Sequence, residues 1–477
     1  MNTRSHRAVV VGSGPNGLAA AIVLAQAGLR VEVFEAEAVH GGGARTLELT
    51  LPGFHHDFGS AVHPMAAGSP FFTSLPLSDH GLEWMHSPAP LAHPLDDGTT
   101  VVLERNLDDA VREFGEDGPA WNRLMRTLVD HWSELAPELL SPLLRIPRHP
   151  FLLATFGLRA LTSARSLANR AFRSERTKAL FAGLAAHSFL TLDEPLTGAF
   201  AIMFGVTAHA VGWPIPRGGS QFIANALRSH LEKLGGTVKT SSRVNDLKSL
   251  GEFKVALCDV TPRQLLQIAG ERFTPAYNRL VQRYRYGPGA FKVDYALSSP
   301  IPWRAAACSR AVTVHLGGTM QEVAESEYTM RHGGHAERPF VLLAQPTLFD
   351  SARAPAGKHI AWAYCHVPNG STFDMLPRLE GQIERFAPGF RDCILQRRVF
   401  RPVDLEAMDA NLVGGDINGG SADWRQFVIR PTWRYYSTPA NDIYICSSST
   451  PPGGGVHGMC GYNAAMSAVK KLMRNQS

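Results

Sequence analysis

Gly12, Gly14 and Gly17 stand in G-x-G-x-x-G spacing within Gly12-Ser13-Gly14-Pro15-Asn16-Gly17. Such a run turns the backbone tightly and offers N–H groups to an anionic ligand. Gly12 allows the turn, Gly14 lets the main chain approach a pyrophosphate, and Gly17 lets the next helix pack close to its strand. Glu35, eighteen residues beyond Gly17, supplies a carboxylate able to accept from both hydroxyls of an adenosine ribose. Its charge also repels a 2′-phosphate. The elements that must position these residues are legible around them. Arg7–Val11 is β-branched and suits a buried parallel strand. Leu18–Ala27 is rich in helix formers and stops at Gly28. Val31–Phe34 reads as the next strand. Strand, turn, helix and strand together are the context in which the glycine spacing implies dinucleotide binding.

The residues after Glu35 narrow the choice. Ala36 leads into Gly41, Gly42, Gly43, Ala44 and Arg45, where glycines can press against a flat ring system and the arginine adds charge near a diphosphate. That extension points to FAD rather than NAD. Gly59, Ser60, Ala61 and Val62 are small enough to lie beside an isoalloxazine. Far along the chain, a strand over 442–446 leads into Ser447–Gly461 and a last helix. Gly453, Gly455 and Gly458 repeat the glycine spacing, but only 19 residues follow Gly458, too few for a second unit of about 30. This loop, including Gly458 and Met459, is expected to close the flavin site from the other end of the chain.

With 477 residues, 44% of them apolar and 19% charged, the chain can bury a large core, and more than one domain is expected. No run of apolar residues is long enough to span a bilayer. The basic start, Met1–Arg7, is not followed by a secretory apolar run. Six dispersed cysteines form no C-x-x-C, so neither a disulfide framework nor a zinc site is expected. A cytoplasmic setting follows as the expectation. The net charge of +5 is too mild to argue for nucleic acid.

VVVGSGPNGLAAAIVLAQAG, GGGARTLELTLPGFHHDFGSAVHP and YICSSSTPPGGGVHGMCGYNAA together resemble the phytoene desaturase-related FAD oxidoreductases. These include carotenoid desaturases and isomerases and a pyridine nucleotide-disulfide oxidoreductase-like branch, the best match of the three. The resemblance implies an α/β fold: a discontinuous Rossmann-type FAD-binding domain from 1–65, 213–290 and 430–477. An inserted α+β substrate domain with a helical, membrane-contacting cap would then span 66–212 and 291–429. It also implies that Thr237–Val244 is a strand whose Val244 contacts the adenine side.

Two residues are candidates for chemistry. Gly289–Leu297 reads as a strand similar to one in the flavin amine oxidases, where a lysine faces flavin N5 through a water and assists reoxidation. Lys292 is the matching position. His457, inside the C-terminal glycine loop, could move a proton. His63, His187, His315 and His366 are expected to be ordinary satisfied polar groups.

Between Arg145 and Lys178 the chain carries eight cations against one acid, Glu175. Apolar residues run among and beside them: Leu143, Leu144, Ile146, Phe151 and Leu158 among others. A basic amphipathic surface of this kind can lie in an anionic membrane interface, so peripheral membrane contact is expected. The expected function is FAD-dependent dehydrogenation, oxidation or isomerisation of a lipophilic, isoprenoid- or polyene-like substrate, with hydride passing to flavin N5. Oxygen or a quinone could take the electrons, and a lone dinucleotide unit argues against an NADPH-driven two-domain reductase. The alternatives are an amine or amino-acid oxidase-like enzyme, motivated by Lys292, and a flavin-binding protein with a structural or interaction role.

Overall fold

A computed structural model describes residues 6–142 and 145–474. In chain order, the strands that frame the site are β1 (Arg7–Val11), β2 (Arg30–Phe34), β3 (Ala89–Pro94), β4 (Thr100–Leu103), β5 (Thr237–Lys239) and β6 (Val255–Cys258). They continue with β7 (Gly289–Leu297), β8 (Ala311–Leu316), β9 (Val341–Ala344), β10 (His359–Val367), β11 (Ile394–Phe400) and β12 (Ile443–Ile445). The helices that matter are α1 (Pro15–Gln26), α2 (Pro150–Ala160), α3 (Ala164–Ala171), α4 (Glu175–Ala186), α5 (Thr197–Ala210), α6 (Gln221–Lys233), α7 (Met320–Arg331) and α8 (Met459–Arg474).

The first sheet is wholly parallel, in the order β12-β6-β1-β2-β5. Its central strand β1 leads into α1, which is buried along nearly its whole length and packs between α6 and α8. An apolar helix such as LAAAIVLA must be covered on more than one face, and these two helices cover it. Gly461 makes the approach of α8 possible, because a Cβ there would run into the Asn16 carbonyl. Thus the two chain termini share one core, with Leu18, Ile22, Ile223, Leu227, Ala464 and Ala468 fully buried.

The second sheet is mixed, in the order β11-β7-β10-β9-β8-β3-β4. Residues alternate across β7 as a strand requires. Phe291, Val293, Tyr295 and Leu297 pack into a core with Leu379, Ile383 and Phe386 of the helix Leu376–Phe386. Ala290, Lys292 and Asp294 take the other face. The helical layer α2–α5 covers the sheet, where Trp121, Phe172 and Phe181 centre the largest apolar cluster.

Two boundaries differ from expectation. Phe71, Phe72, Leu77 and Leu82 belong to the core of the parallel sheet, so that half extends past residue 65. Strand β5 stops at Lys239 rather than running to Val244. The Ser241 and Ser242 N–H groups donate to the carbonyls of Glu37 and Glu35 at 2.9 and 2.7 Å, and Ser241 turns to φ +50°. These bonds carry the chain away from the sheet edge and leave Val244 in a loop.

Candidate active site

A cavity of about 510 Å3 is lined from both sheets. At its parallel-sheet end β1 runs into Gly12, whose φ of +96° is the left-handed conformation that the turn needs. Helix α1 starts at Pro15 with Gly14 as N-cap and no side chain capping it, so its first N–H groups are left for a ligand. A Cβ on Gly14 would lie 2.9 Å from Asp259 Oδ2, and one on Gly42 would lie 3.2 Å from the Gly14 Cα. The backbones of these two glycine loops therefore form a narrow cradle.

Gly12, Ser13, Gly14, Pro15, Asn16, Glu35, Ala36, Gly42, Gly43, Ala44, Arg45, Gly59, Ser60, Ala61, Val62, Val244 and Lys292 all line this cavity. Gly17 stands behind it: its N–H donates to Asp259 Oδ2 at 2.8 Å, and a Cβ on it would meet the Gly12 carbonyl. One oxygen of Glu35 accepts from the Ser13 N–H and hydroxyl at 2.9 and 2.6 Å, and the other from the Glu37 N–H at 2.9 Å. Arg45 also lines the cavity, but its guanidinium donates to the carbonyls of Gly42 (2.8 Å) and Met408 (2.6 Å) and lies 5.0 Å from the Phe58 ring centre. It ties two loops together, where the sequence suggested a charge for the diphosphate.

Asp259 and Asp409 line the same end and were not read from the sequence. Asp259 could have been suspected as the residue that follows β6. Burial pushes its carboxyl up to about 7, with Asp409 and Glu35 adding repulsion and the Gly17 N–H opposing. Asn16 Oδ1 and Ser60 Oγ are buried with no partner, and both residues face the cavity. A glycine cradle, a ribose-ready carboxylate and these orphaned polar atoms fit a dinucleotide lying across the parallel sheet.

At the mixed-sheet end, Lys292 is 4% exposed and Asp294 fully buried. The two are ion-paired on one face of β7. The Lys292 ammonium sits 5.2 Å from the Phe400 ring centre and 5.9 Å from that of Trp362. His56 Nδ1 lies 3.6 Å from the second Asp294 oxygen. Burial works against both charges of the pair, holding the lysine below and the aspartate above their ordinary values. Nearby, Arg353 is fully buried against Asp57 at 2.8 Å and the His55 carbonyl at 2.8 and 3.0 Å. Thr46 Oγ1 and the Ser220 N–H also donate to Asp57, at 2.7 and 2.8 Å. This knot pins the hairpin of Thr46–Glu48 and His55–Asp57 that carries Gly59 and Ser60 into the site.

His457 stands elsewhere. It is buried outside the cavity lining, its Nδ1 accepts the Met459 N–H at 3.0 Å, and its carbonyl accepts from Ser69 Oγ at 2.6 Å. Burial presses its pKa down to about 4. Gly458 and Met459 stand behind the wall with it, and Gly454, Gly455 and Val456 make the actual approach. Where the sequence suggested a proton mover, the ring accepts the first N–H of α8 with Nδ1 and keeps Nε2 buried without a partner, behind the cavity wall.

The remaining wall is apolar and aromatic: Met65, Phe189, Phe200, Met203, Phe204, Trp213, Leu342, Trp362 and Tyr364. His63, His187 and Thr313 are polar members of the wall, and His187 Nε2 lies 3.2 Å from Nε2 of His315. His366 and His93 lie close by, the former bound to the buried Glu327. Residues 93, 187, 315 and 366 have no sequence pattern in common. Only the mixed sheet and its helical cover bring them together.

The sequence profile of the family "Flavin containing amine oxidoreductase" matches residues 16–269. Pyridine nucleotide-disulfide oxidoreductase domain-containing protein 2 of Rattus norvegicus is 26% identical over 98% of this chain and 93% of its own length. Phytoene dehydrogenase of Streptomyces griseus is 25% identical over 84% of this chain and 82% of its own. Among solved structures, an oxidoreductase from Methanosarcina mazei superposes with a TM-score of 0.65 at 18% identity, covering 97% of this chain and all of the other. The cradle, the parallel sheet and the profile agree: this chain belongs to the flavin-containing amine oxidoreductase family and is an FAD-dependent oxidoreductase.

Proposed function

We propose that this enzyme removes hydrogen from a lipophilic, isoprenoid- or polyene-like substrate drawn from a membrane surface. One observation carries the reading. Helix α5 lends Phe200, Met203 and Phe204 to the cavity wall and packs against α2. Helix α2 and its flanks expose Ile146 (94%), Phe151 (88%), Leu158 (77%) and Leu161 (64%). So much bare apolar surface, one helix away from an aromatic chamber, suits a substrate that never enters water. Arg148, Arg170 and Arg173 are exposed with no acidic partner among the described residues. Arg145, Arg165, Arg176 and Lys178 are held by Glu138, Asp193, Glu113 and Glu175. Leu143 and Leu144, part of the same expected surface, lie outside the described residues. No described helix is long and apolar enough to cross a bilayer, so the contact proposed is peripheral.

Bound FAD supplies the acceptor for a hydride equivalent. The glycine loops, Glu35 and the α1 N-terminus hold it, and the aromatic wall orients substrate and excludes water. Lys292 places positive charge in the cavity, where it would favour electron-rich states and reoxidation by oxygen or a quinone. Anaerobic bleaching of the flavin by a polyene or its saturated precursor supports this reading, and its absence across isoprenoids refutes it. The second reading is an amine oxidase-like reaction, favoured by Lys292 on the cavity wall. It predicts hydrogen peroxide on addition of primary or secondary amines in air.

A further inference from the structure

Strand β6 ends at Cys258, and the next residue, Asp259, lays its carboxyl against the glycine turn that starts α1. Its Oδ2 accepts the Gly17 N–H at 2.8 Å. Cβ atoms on Gly14 and Gly17 would lie 2.9 and 3.1 Å from that same oxygen. Pro15 has no N–H to give, so of the first three residues of α1 only Asn16 keeps a main-chain donor for a ligand. Asn16 and Gly17 are successive, and their Cα atoms are about 3.8 Å apart. An anion taken by the positive end of α1 therefore comes to rest beside the Asp259 carboxyl. Asn16 Oδ1, buried without a partner on a residue of the cavity wall, marks the same place as built for a polar ligand.

The groups that face Asp259 offer it no counter-charge. Glu35 at the end of β2 and Asp409 of the facing loop both add repulsion. Cys258 on β6, Cys446 after β12 and Cys460 on α8 are thiols whose ionisation burial opposes. Arg45 acts on Asp409, which also accepts the Asn411 N–H at 3.0 Å. Among the described residues Asp259 has one donor, the Gly17 N–H, and it reaches Oδ2 alone. Burial and repulsion bring its carboxyl up to about 7 before any charge of a ligand is added. A diphosphate adds more like charge and favours the neutral acid further.

We propose that Asp259 holds FAD as the neutral acid, taking up one proton as the cofactor binds and donating that hydrogen to a diphosphate oxygen. Oδ2 goes on accepting the Gly17 N–H, and Oδ1 carries the hydrogen. The proton comes from solvent, and no bond of the cofactor forms or breaks. Above neutral pH the apoprotein carries a carboxylate that must be protonated before the diphosphate can settle beside it. Affinity for FAD is therefore level below about pH 7 and falls by up to about tenfold for each pH unit above it. Between pH 6.5 and 8.5 the dissociation constant should rise about 25-fold.

Equilibrium dialysis of the FAD-loaded protein against known free FAD, from pH 6 to 9, measures this. Asp259→Asn keeps an acceptor for the Gly17 N–H and carries a permanent donor. Its dissociation constant should be level with pH and, at pH 8.5, at least tenfold below that of the parent. A parent profile that changes less than threefold from pH 6.5 to 8.5, or a variant with the parent's slope, overturns the proposal. Asp409→Asn should keep a slope; a slope lost there and kept in Asp259→Asn puts the proton on Asp409 and overturns it as well. If Asp259→Asn does not fold, titration calorimetry of the parent, stripped of FAD and refilled in buffers of different ionisation heat, counts the protons directly. About 0.9 proton per FAD at pH 8 and about 0.1 at pH 6 are expected, and no uptake at pH 8 overturns the proposal. A chain that takes up no FAD at any pH would fail the flavin assignment itself, a result distinct from a level profile.

Discussion

Replacing Lys292 with methionine removes the cation but leaves Asp294 at zero exposure. The carboxylate then has His56, 3.6 Å away, and the charge of Arg353, and burial and Arg353 still disfavour the imidazolium once Lys292 is gone. Breaking a buried pair from one side costs about 3–5 kcal/mol. Protonation of the orphaned carboxyl caps the loss, at about 1.36 kcal/mol for each pH unit above its ordinary value near 3.9. The cap is therefore about 4 kcal/mol at pH 7 and about 2 kcal/mol at pH 5.5. Lys292→Met should thus be markedly less destabilising in mild acid, and Lys292→Met with Asp294→Asn should recover most of the loss at pH 7. Urea unfolding of the three FAD-loaded proteins at both pH values measures this. An equal loss at pH 7 and 5.5, or a double variant no more stable than the single, would refute the reasoning. The same single variant should slow reoxidation of the reduced flavin by oxygen, followed by stopped-flow absorbance.

Further outcomes are expected elsewhere in the molecule. His209 accepts the Trp121 indole N–H at 2.9 Å, and His457 accepts the Met459 N–H at 3.0 Å, so neither can be protonated without losing a bond. Burial leads the depression of both to about 4, below the ordinary 6.5. The unfolded chain therefore binds more protons between about pH 6.5 and 4, and stability falls as pH falls. Each histidine costs about 1.4 kcal/mol by pH 5.5, and thermal melts flat from pH 7.5 to 5.5 would contradict this. Gly14→Val, which drives a branched side chain into the gap beside Asp259, should abolish flavin retention on gel filtration while far-UV circular dichroism persists. Phe151→Glu with Leu158→Glu changes only exposed positions, so melting should hold while sedimentation with anionic liposomes at low salt is lost. Undiminished binding would place the contact elsewhere.

The dinucleotide end was legible in the sequence because its geometry is local. Strand, glycine turn, helix and Glu35 lie within about thirty residues of one βαβ unit, and each residue type has one task there. The mixed-sheet end was not legible in this way. Strand alternation could place Lys292 and Asp294 on one face, but the nearby pair of Asp57 and Arg353 depends on a hairpin and a loop nearly three hundred residues apart. His457 stands off the cavity lining for a related reason, since a glycine loop fixes the backbone path and not the direction of one ring. His93, His187, His315 and His366 come together only through the order of the mixed sheet and the helices that cover it. A lone histidine in a sequence carries no sign of the others.

With α1 and α8 in a single core and both glycine loops on the cavity, the two ends of the chain are arranged to close over one flavin. The most direct measurement is the stoichiometry and identity of cofactor released by denaturing the purified chain, read by absorbance and mass. One FAD per chain, lost when Gly14→Val is introduced, is the expected result. A colourless protein that takes up no added FAD would contradict the account.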